Sequence, residues 1–181
     1  MTGGFERAVL PHLDAAYNLA RWLTRDGRDA EDVVQEAMLR AVAHFDGFRG
    51  GDPKSWLLRI VRNCAYDWIA KRRSGTVVPL DAVMGPSGQV RGALDPVPAE
   101  APDAGLERDA DRVRLNRLVA ALPPEFREVL VLREVEELSY RDIATATGVP
   151  IGTVMSRLAR GRALLKRGWE RAAKQEVRGG L

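Results

Sequence analysis

Apolar residues in the first third of the chain recur at helical spacing. Val9, Leu13, Ala16, Ala20 and Leu23 alternate steps of four and three, which places them on one face of a helix over 5–23. Gly27 is read as its end. Asp29 is read as the N-cap of a second helix, with Asp32 three residues later in a weak capping-box pattern. That helix runs to about Phe45, with Val34, Met38, Ala41 or Val42, and Phe45 on its apolar stripe, and Gly47, Gly50 and Gly51 break it. Asp52-Pro53 opens a third helix, Asp as N-cap and Pro at the first helical position. Its inner face is Leu57, Ile60 or Val61, Cys64 and Trp68, and it fades over 71–75.

The pattern then stops. Ser74 to Asp111 holds five of the ten Pro and five of the seventeen Gly, and reads as an acidic linker. Helical spacing resumes at Arg112 with Val113, Leu118, Val119 and Leu122. Pro123-Pro124 separates this helix from one carrying Phe126, Val129, Leu130, Leu132 and Val135. Ser139 caps a short helix with Ile143 and Ala144, and Gly148 ends it. Pro150 opens a long helix with Ile151, Val154, Met155, Leu158, Leu164 and Leu165. No segment sustains two-residue alternation, so the expected fold is all-α. A structureless loop this long is improbable inside one compact domain. The expectation is two small helical domains, 1–75 and 112–175, joined by a linker over 76–111.

Charge changes this picture more by its distribution than by its total, a net +3 over 181 residues. Asp26–Glu36 has five acids against Arg28, and 74–111 has seven acids against two bases. Between and after them lie two basic blocks: seven bases against two acids over 49–73, and eight against two over 150–178. Each block is compatible with a solvated helix face; two separated basic blocks also fit two contacts with one polyanion.

Several function classes drop out. One Cys, Cys64, excludes an intrachain disulfide framework and a cysteine-based zinc site, and as an inner-stripe residue it reads as a small hydrophobe rather than a redox sensor. Two His, His12 and His44, leave little for a metal cluster. No Ser/His/Asp set, Walker A pattern or GxGxxG is present, so neither an enzyme nor a cofactor or metal site is expected. The start Met-Thr-Gly-Gly-Phe-Glu lacks a basic segment followed by an apolar one, and no apolar run approaches a membrane span. A cytoplasmic protein is expected.

The sharpest local signal is YRDIATATGVPIGTVMSRLA over 140–159. A short helix, a turn with Gly148 free to take φ > 0, and a longer helix anchored by Val154 make a helix-turn-helix, with Ala144 as the small residue where the helices cross. This geometry lays the second helix in the major groove. Thr153, Ser156, Arg157 and Arg160 are read as its outward positions, able to bond phosphates and base edges. An αα-hairpin with a basic solvent face is the plainer alternative.

Three blocks together resemble a family. DAEDVVQEAMLRA (29–41), FRGGDPKSWLLRIVRNCAYDWIAKRR (48–73) and LPPEFREVLVLREVEELSYRDIATATGVPIGTVMSRLARGRALLKR (122–167) are similar to bacterial extracytoplasmic-function (ECF) sigma factors. The resemblance covers nearly everything outside the linker. It implies a region 2-like bundle, a region 4-like helix-turn-helix domain, and a function in which the chain binds core RNA polymerase and directs it to a promoter. Asp32, Gln35 and Glu36 then correspond to the surface that docks on the β′ clamp helices. Asp29 and Glu31 fit equally well as acids favoured at a helix N-terminus.

The stretch 49–73 resembles the part that captures the −10 element, with Arg49, Lys54, Ser55, Arg59, Arg62 and Asn63 as candidates. Holding an opened strand takes pockets for flipped bases and positive charge along the backbone. Asn63 stands where the family often carries Asn near the flipped base. Trp56 and Trp68 fit stacking, but at helical spacing with Ile60 and Cys64 they fit the core better. Arg141, Thr153, Ser156, Arg157 and Arg160 map onto DNA-facing positions of the −35 reader. Met155 and Ala159 depart from it, standing where some members carry Arg and an aromatic residue. The surface of Phe126, Val129, Leu130 and Leu132 reads mostly as core, and the resemblance implies that part of it meets the flap of the polymerase β subunit. The acidic linker is either a nucleic-acid mimic for the active-site channel or a solubilising spacer. The resemblance also implies an anti-sigma factor as partner. A dimeric operator-binding regulator using only the C-terminal helix-turn-helix, and a sigma mimic that sequesters an anti-sigma factor, remain open on the residues alone.

Overall fold

The computed structural model describes residues 2–75 and 106–179. Among them every regular element is helical. The first half comprises α1 (Thr2–Val9), a 3-10 turn (Leu10–His12), α2 (Leu13–Thr24), α3 (Gly27–His44), a second 3-10 turn (Phe45–Gly47) and α4 (Pro53–Gly75). The second comprises α5 (Leu106–Ala120), α6 (Pro124–Leu130) with a π-helical turn (Val131–Val135), α7 (Tyr140–Thr147) and α8 (Ile151–Gly179). The all-α expectation holds. The helix starting at 112 in the sequence reading starts at Leu106, inside the segment read as linker; the rest of that segment, 76–105, lies outside the described residues.

Three local expectations are corrected. The single helix over 5–23 is two, because Pro11 has no N–H to donate and sits in the 3-10 turn between them. Gly27 does not end α2. Arg25, left-handed at φ 66°, ends it, and its N–H returns to the Arg21 carbonyl. Asp26, not Asp29, caps α3: its carboxylate accepts from the N–H groups of Arg28 and Asp29 at 2.8 and 3.1 Å. Asp29 sits in the first turn and takes the Arg72 guanidinium at 2.6 Å.

The apolar core begins where α2, α3 and α4 meet. Leu19, Leu57, Leu58 and Val61 are fully buried there. From α3 come Ala30, Val33, Ala37 and Ala41; Val33 and Ala37 stand one residue before the expected Val34 and Met38, and of Ala41 and Val42 it is Ala41 that is buried. Small residues on α3 let the three helices pack closely. An aromatic group closes the end of this bundle: Trp56 lies 5.1 Å from Phe48 and 6.1 Å from Phe45, and Phe5 meets Phe45 edge-on at 5.3 Å.

The second half adds Val129, Leu132, Ile143, Val154 and Leu158 to the same buried cluster. Two glycines missed in the sequence set its tightness. A Cβ on Gly161 would lie 2.8 Å from Leu130 Cδ1, and one on Gly168 2.7 Å from Leu118 Cδ2. Each lets α8 pack closely against a leucine of its neighbour, whose side chain would have to shift to admit a Cβ. Their signal was available: Gly inside a helix costs about 1 kcal/mol relative to Ala, so two of them call for a packing reason.

The halves are not separate in space. α7 lies along α4, and α6 touches α2.

Candidate nucleic-acid interface

The helix-turn-helix is assembled by its own caps. Ser139 accepts from the Asp142 N–H at 3.1 Å and starts α7. Gly148, at φ 72°, stops it, its N–H returning to Ala144 at 2.8 Å. The Pro150 carbonyl takes the N–H groups of Thr153 and Val154 and starts α8. Val154 is fully buried, as an anchor must be. Ala144 is half-buried; Ala146 is the small residue of α7 that is fully covered.

Burial of Val154, Leu158 and Gly161 defines the inward side of α8. At 100° per residue, the outward face then has Gly152 and Ser156 at its centre. Thr153, Arg157 and Arg160 run along one edge and Ile151, Met155 and Ala159 along the other. Two residues expected to point outward, Thr153 and Arg157, are only half-exposed, because each stands one position before a buried anchor. Ser156 and Arg160 are exposed, and Ser156 Oγ donates to the Thr153 carbonyl at 3.0 Å. Arg141 is exposed at the start of α7. Arg162 binds Glu134, its Nη2 2.6 Å from Oε1.

On α4 the structure divides the six −10 candidates. Arg49, Arg59 and Asn63 are exposed. Ser55 is buried, with its hydroxyl 2.5 Å from Asp52 Oδ2 and its N–H 2.8 Å from the same oxygen; it helps cap α4. Lys54 and Arg62 turn toward the second half. Lys54 Nζ pairs with Glu136 Oε2 at 3.0 Å and donates to the Glu136 carbonyl at 2.8 Å. The other Glu136 oxygen accepts from Asn18 at 3.2 Å. Arg62 donates to Glu128, which also receives the Tyr66 hydroxyl at 3.4 Å. Glu128 is fully buried. Burial pushes its carboxyl up from the usual range, against the pull of Arg62 and of the nearby Arg157. The same burial, with the Glu128 charge, pushes the Tyr66 phenol up to about 12.

A buried cation, Arg127, also ties the halves. Arg127 donates to the Trp22 carbonyl at 2.7 Å and to the Leu122 carbonyl at 3.0 Å. Burial, with the nearby Arg25 charge, lowers its pKa to about 10.

On α3, Asp32, Gln35 and Glu36 are exposed, and Glu36 pairs with Arg40 at 2.8 Å. Leu39 and Val42, on the same outer stripe, are 69% and 60% exposed. Of the alternatives Ala41 and Val42 for the inner stripe, Ala41 is the buried one, which leaves Val42 to this outer apolar strip. Trp68 lies under the Arg72 guanidinium at 4.8 Å. Cys64 is buried, and burial raises its thiol. Among the described residues no group of three or more His, Cys, Asp or Glu could hold a metal ion, and no helix is long and apolar enough to cross a membrane.

Comparison with known proteins fits both halves separately. Residues 8–75 match sigma-70 region 2, and residues 112–165 match sigma-70 region 4. The chain is 34% identical to the ECF RNA polymerase sigma factor SigE of Mycolicibacterium smegmatis, over 90% of its own length and 60% of that protein's. It is 33% identical to the RNA polymerase sigma-H factor of Pseudomonas aeruginosa, over 87% of its own length and 82% of that protein's. In structure it resembles the sigma factor RpoE of Bartonella quintana, solved in complex with the anti-sigma factor NepR. The TM-score is 0.71 at 28% identity, covering 92% of this chain and 97% of that one.

Proposed function

The chain belongs to the ECF sigma factors, and from that premise we propose that it binds core RNA polymerase in the cytoplasm, directs it to a two-part promoter and assists opening of the −10 region. The observation that carries this is the presence in one chain, in order, of both DNA-handling regions of the family, the second a capped helix-turn-helix. The polymerase performs the chemistry.

Residues 1–75 form the polymerase-docking and −10 unit, and 112–175 the −35 unit. Asp32, Gln35 and Glu36 rim the docking face, with Leu39 and Val42 as its apolar centre. Arg49, Arg59 and Asn63 are placed to meet the opened strand, joined by Lys54 and Arg62 once their acidic partners leave. Ser55 serves as a cap for the helix that carries them. Arg141, Ser156 and Arg160 face the −35 duplex, with Thr153 and Arg157 at its edge. An anti-sigma factor is the expected inhibitor, by analogy with the relative solved in such a complex.

Promoter geometry requires the halves to part. Elements 25 base pairs apart are separated by about 85 Å along B-DNA. A compact chain of 181 residues has a radius of gyration of about 16 Å and a diameter of about 40 Å. It cannot touch both while α7 lies on α4. Residues 76–105 could reach at most about 100 Å when extended, enough to bridge the gap.

The test is reconstitution with core polymerase freed of its own sigma, followed by transcription from a promoter library. Initiation from a small related set of two-part promoters is expected. Operator binding without polymerase, and no initiation, would instead identify a conventional regulator.

A further inference from the structure

We propose that Met155, supported by Ile151 one turn earlier, reads thymine methyl groups in the −35 duplex. The upstream element is then chosen partly by apolar contact and not by arginine alone. The inference deepens the reading of α8 as the −35 recognition helix and rests on it.

Most large apolar side chains here are covered, but Ile151 and Met155 remain 41% and 53% exposed. They lie together on one edge of the outward face of α8, opposite the edge carrying Thr153, Arg157 and Arg160. The two edges offer different chemistry. The polar edge can bond phosphates and guanine. Over 151–159 the Met155 edge offers only methylene, thioether and methyl groups, ending at Ala159; Arg162 and Lys166 follow on the same stripe further along the helix.

Within the major groove the matching apolar feature is the thymine C5-methyl. Methionine suits this contact, since its flexible, polarizable chain adapts to the groove floor. The backbone can also come close: Gly152 has no side chain, and nothing lies within 4 Å of where its Cβ would be.

Charge identifies duplex DNA as the occupant. From Ile151 to Trp169 there is no acid, while Arg157, Arg160, Arg162, Lys166 and Arg167 are basic. Such a surface draws a polyanion to the apolar edge.

The experiment uses the full chain bound to core polymerase. The preferred −35 sequence is first selected from a randomised duplex library. Each selected thymine is then replaced singly by deoxyuridine, which removes only the methyl group. Loss of one buried methyl is worth about fourfold in affinity. The parent holoenzyme is therefore expected to weaken about fourfold at one or two positions. Met155→Ala should bind the parent duplex more weakly and lose that sensitivity at those positions alone; Met155→Leu should keep it. Deoxyuridine tolerated everywhere, no thymine selected, or Met155→Ala still as sensitive as the parent, would overturn the proposal while leaving the −35 reading intact. Initiation with no −35 preference of any kind would overturn both.

Discussion

α4 and α8 both carry basic residues proposed to meet DNA, yet the structure treats them differently. On α4, Arg62 and Lys54 are half-buried and matched by Glu128 and Glu136 of the second half. On α8, Arg160 is exposed with no ion pair among the described residues, and the centre of the outward face is open. The difference is electrostatic economy. A carboxylate taken fully out of water needs a cation and hydrogen bonds, and Glu128 finds Arg62 and Tyr66 only across the junction. The packed arrangement therefore occupies two of the cations proposed for the −10 strand, while the proposed −35 face is left open.

The largest effect should come from breaking that match. Glu128→Ala leaves Arg62 partly buried without its partner and should cost about 3 kcal/mol in urea unfolding. The halves should also loosen, seen as a larger radius of gyration in small-angle scattering. An unaltered scattering profile would mean that the charge pair does not hold them together.

Next in size, Arg160→Ala should weaken −35 binding by about 1–3 kcal/mol and leave unfolding unchanged. A stability loss of similar size would show that Arg160 serves the fold instead.

A cap on α4 tests whether its face is preorganised. Asp52 is pushed up by burial, but the Ser55 hydroxyl and N–H outweigh this, so its carboxyl titrates below the usual range. A depressed carboxyl stabilises the fold above the ordinary carboxylate pKa, and that stability is lost as pH falls through the folded value. Asp52→Ala should cost about 1 kcal/mol at pH 7, with the difference from the parent shrinking below about pH 4. A constant difference across pH would mean that the carboxylate charge is not what caps the helix.

The smallest effect is expected on α8. Arg162 and Glu134 are both more than half exposed, and Arg162→Ala should change stability by less than about 0.5 kcal/mol. A loss above 1 kcal/mol in thermal or urea unfolding would give this surface pair a structural role.

Legibility followed the range of the forces involved. The Ser139 cap and the left-handed Gly148 were readable because a helix end is decided within a few residues of its own sequence. The Asp52-Pro53 start was readable for the same reason. Competing local signals produced the errors. Asp26 and Asp29 both suit an N-cap, and the αL turn at Arg25 chose between them. Pro11 stands inside a regular apolar stripe, which continues across it although the helix does not. On α3 Val34 and Met38 suggest the inner face, while close approach of α2 and α4 selects Val33 and Ala37 one position before them.

By itself, then, the sequence determined the helices, most of their ends, the helix-turn-helix and the family, because periodicity, capping and short motifs act between near neighbours along the chain. The tertiary structure decided which basic residues are open and which are held. That choice depends on Glu128 and Glu136 lying opposite Arg62 and Lys54, 66 and 82 residues away. No local pattern encodes such a pairing, since it forms only when a core shared by both halves brings distant faces together and leaves their buried charges to find one another.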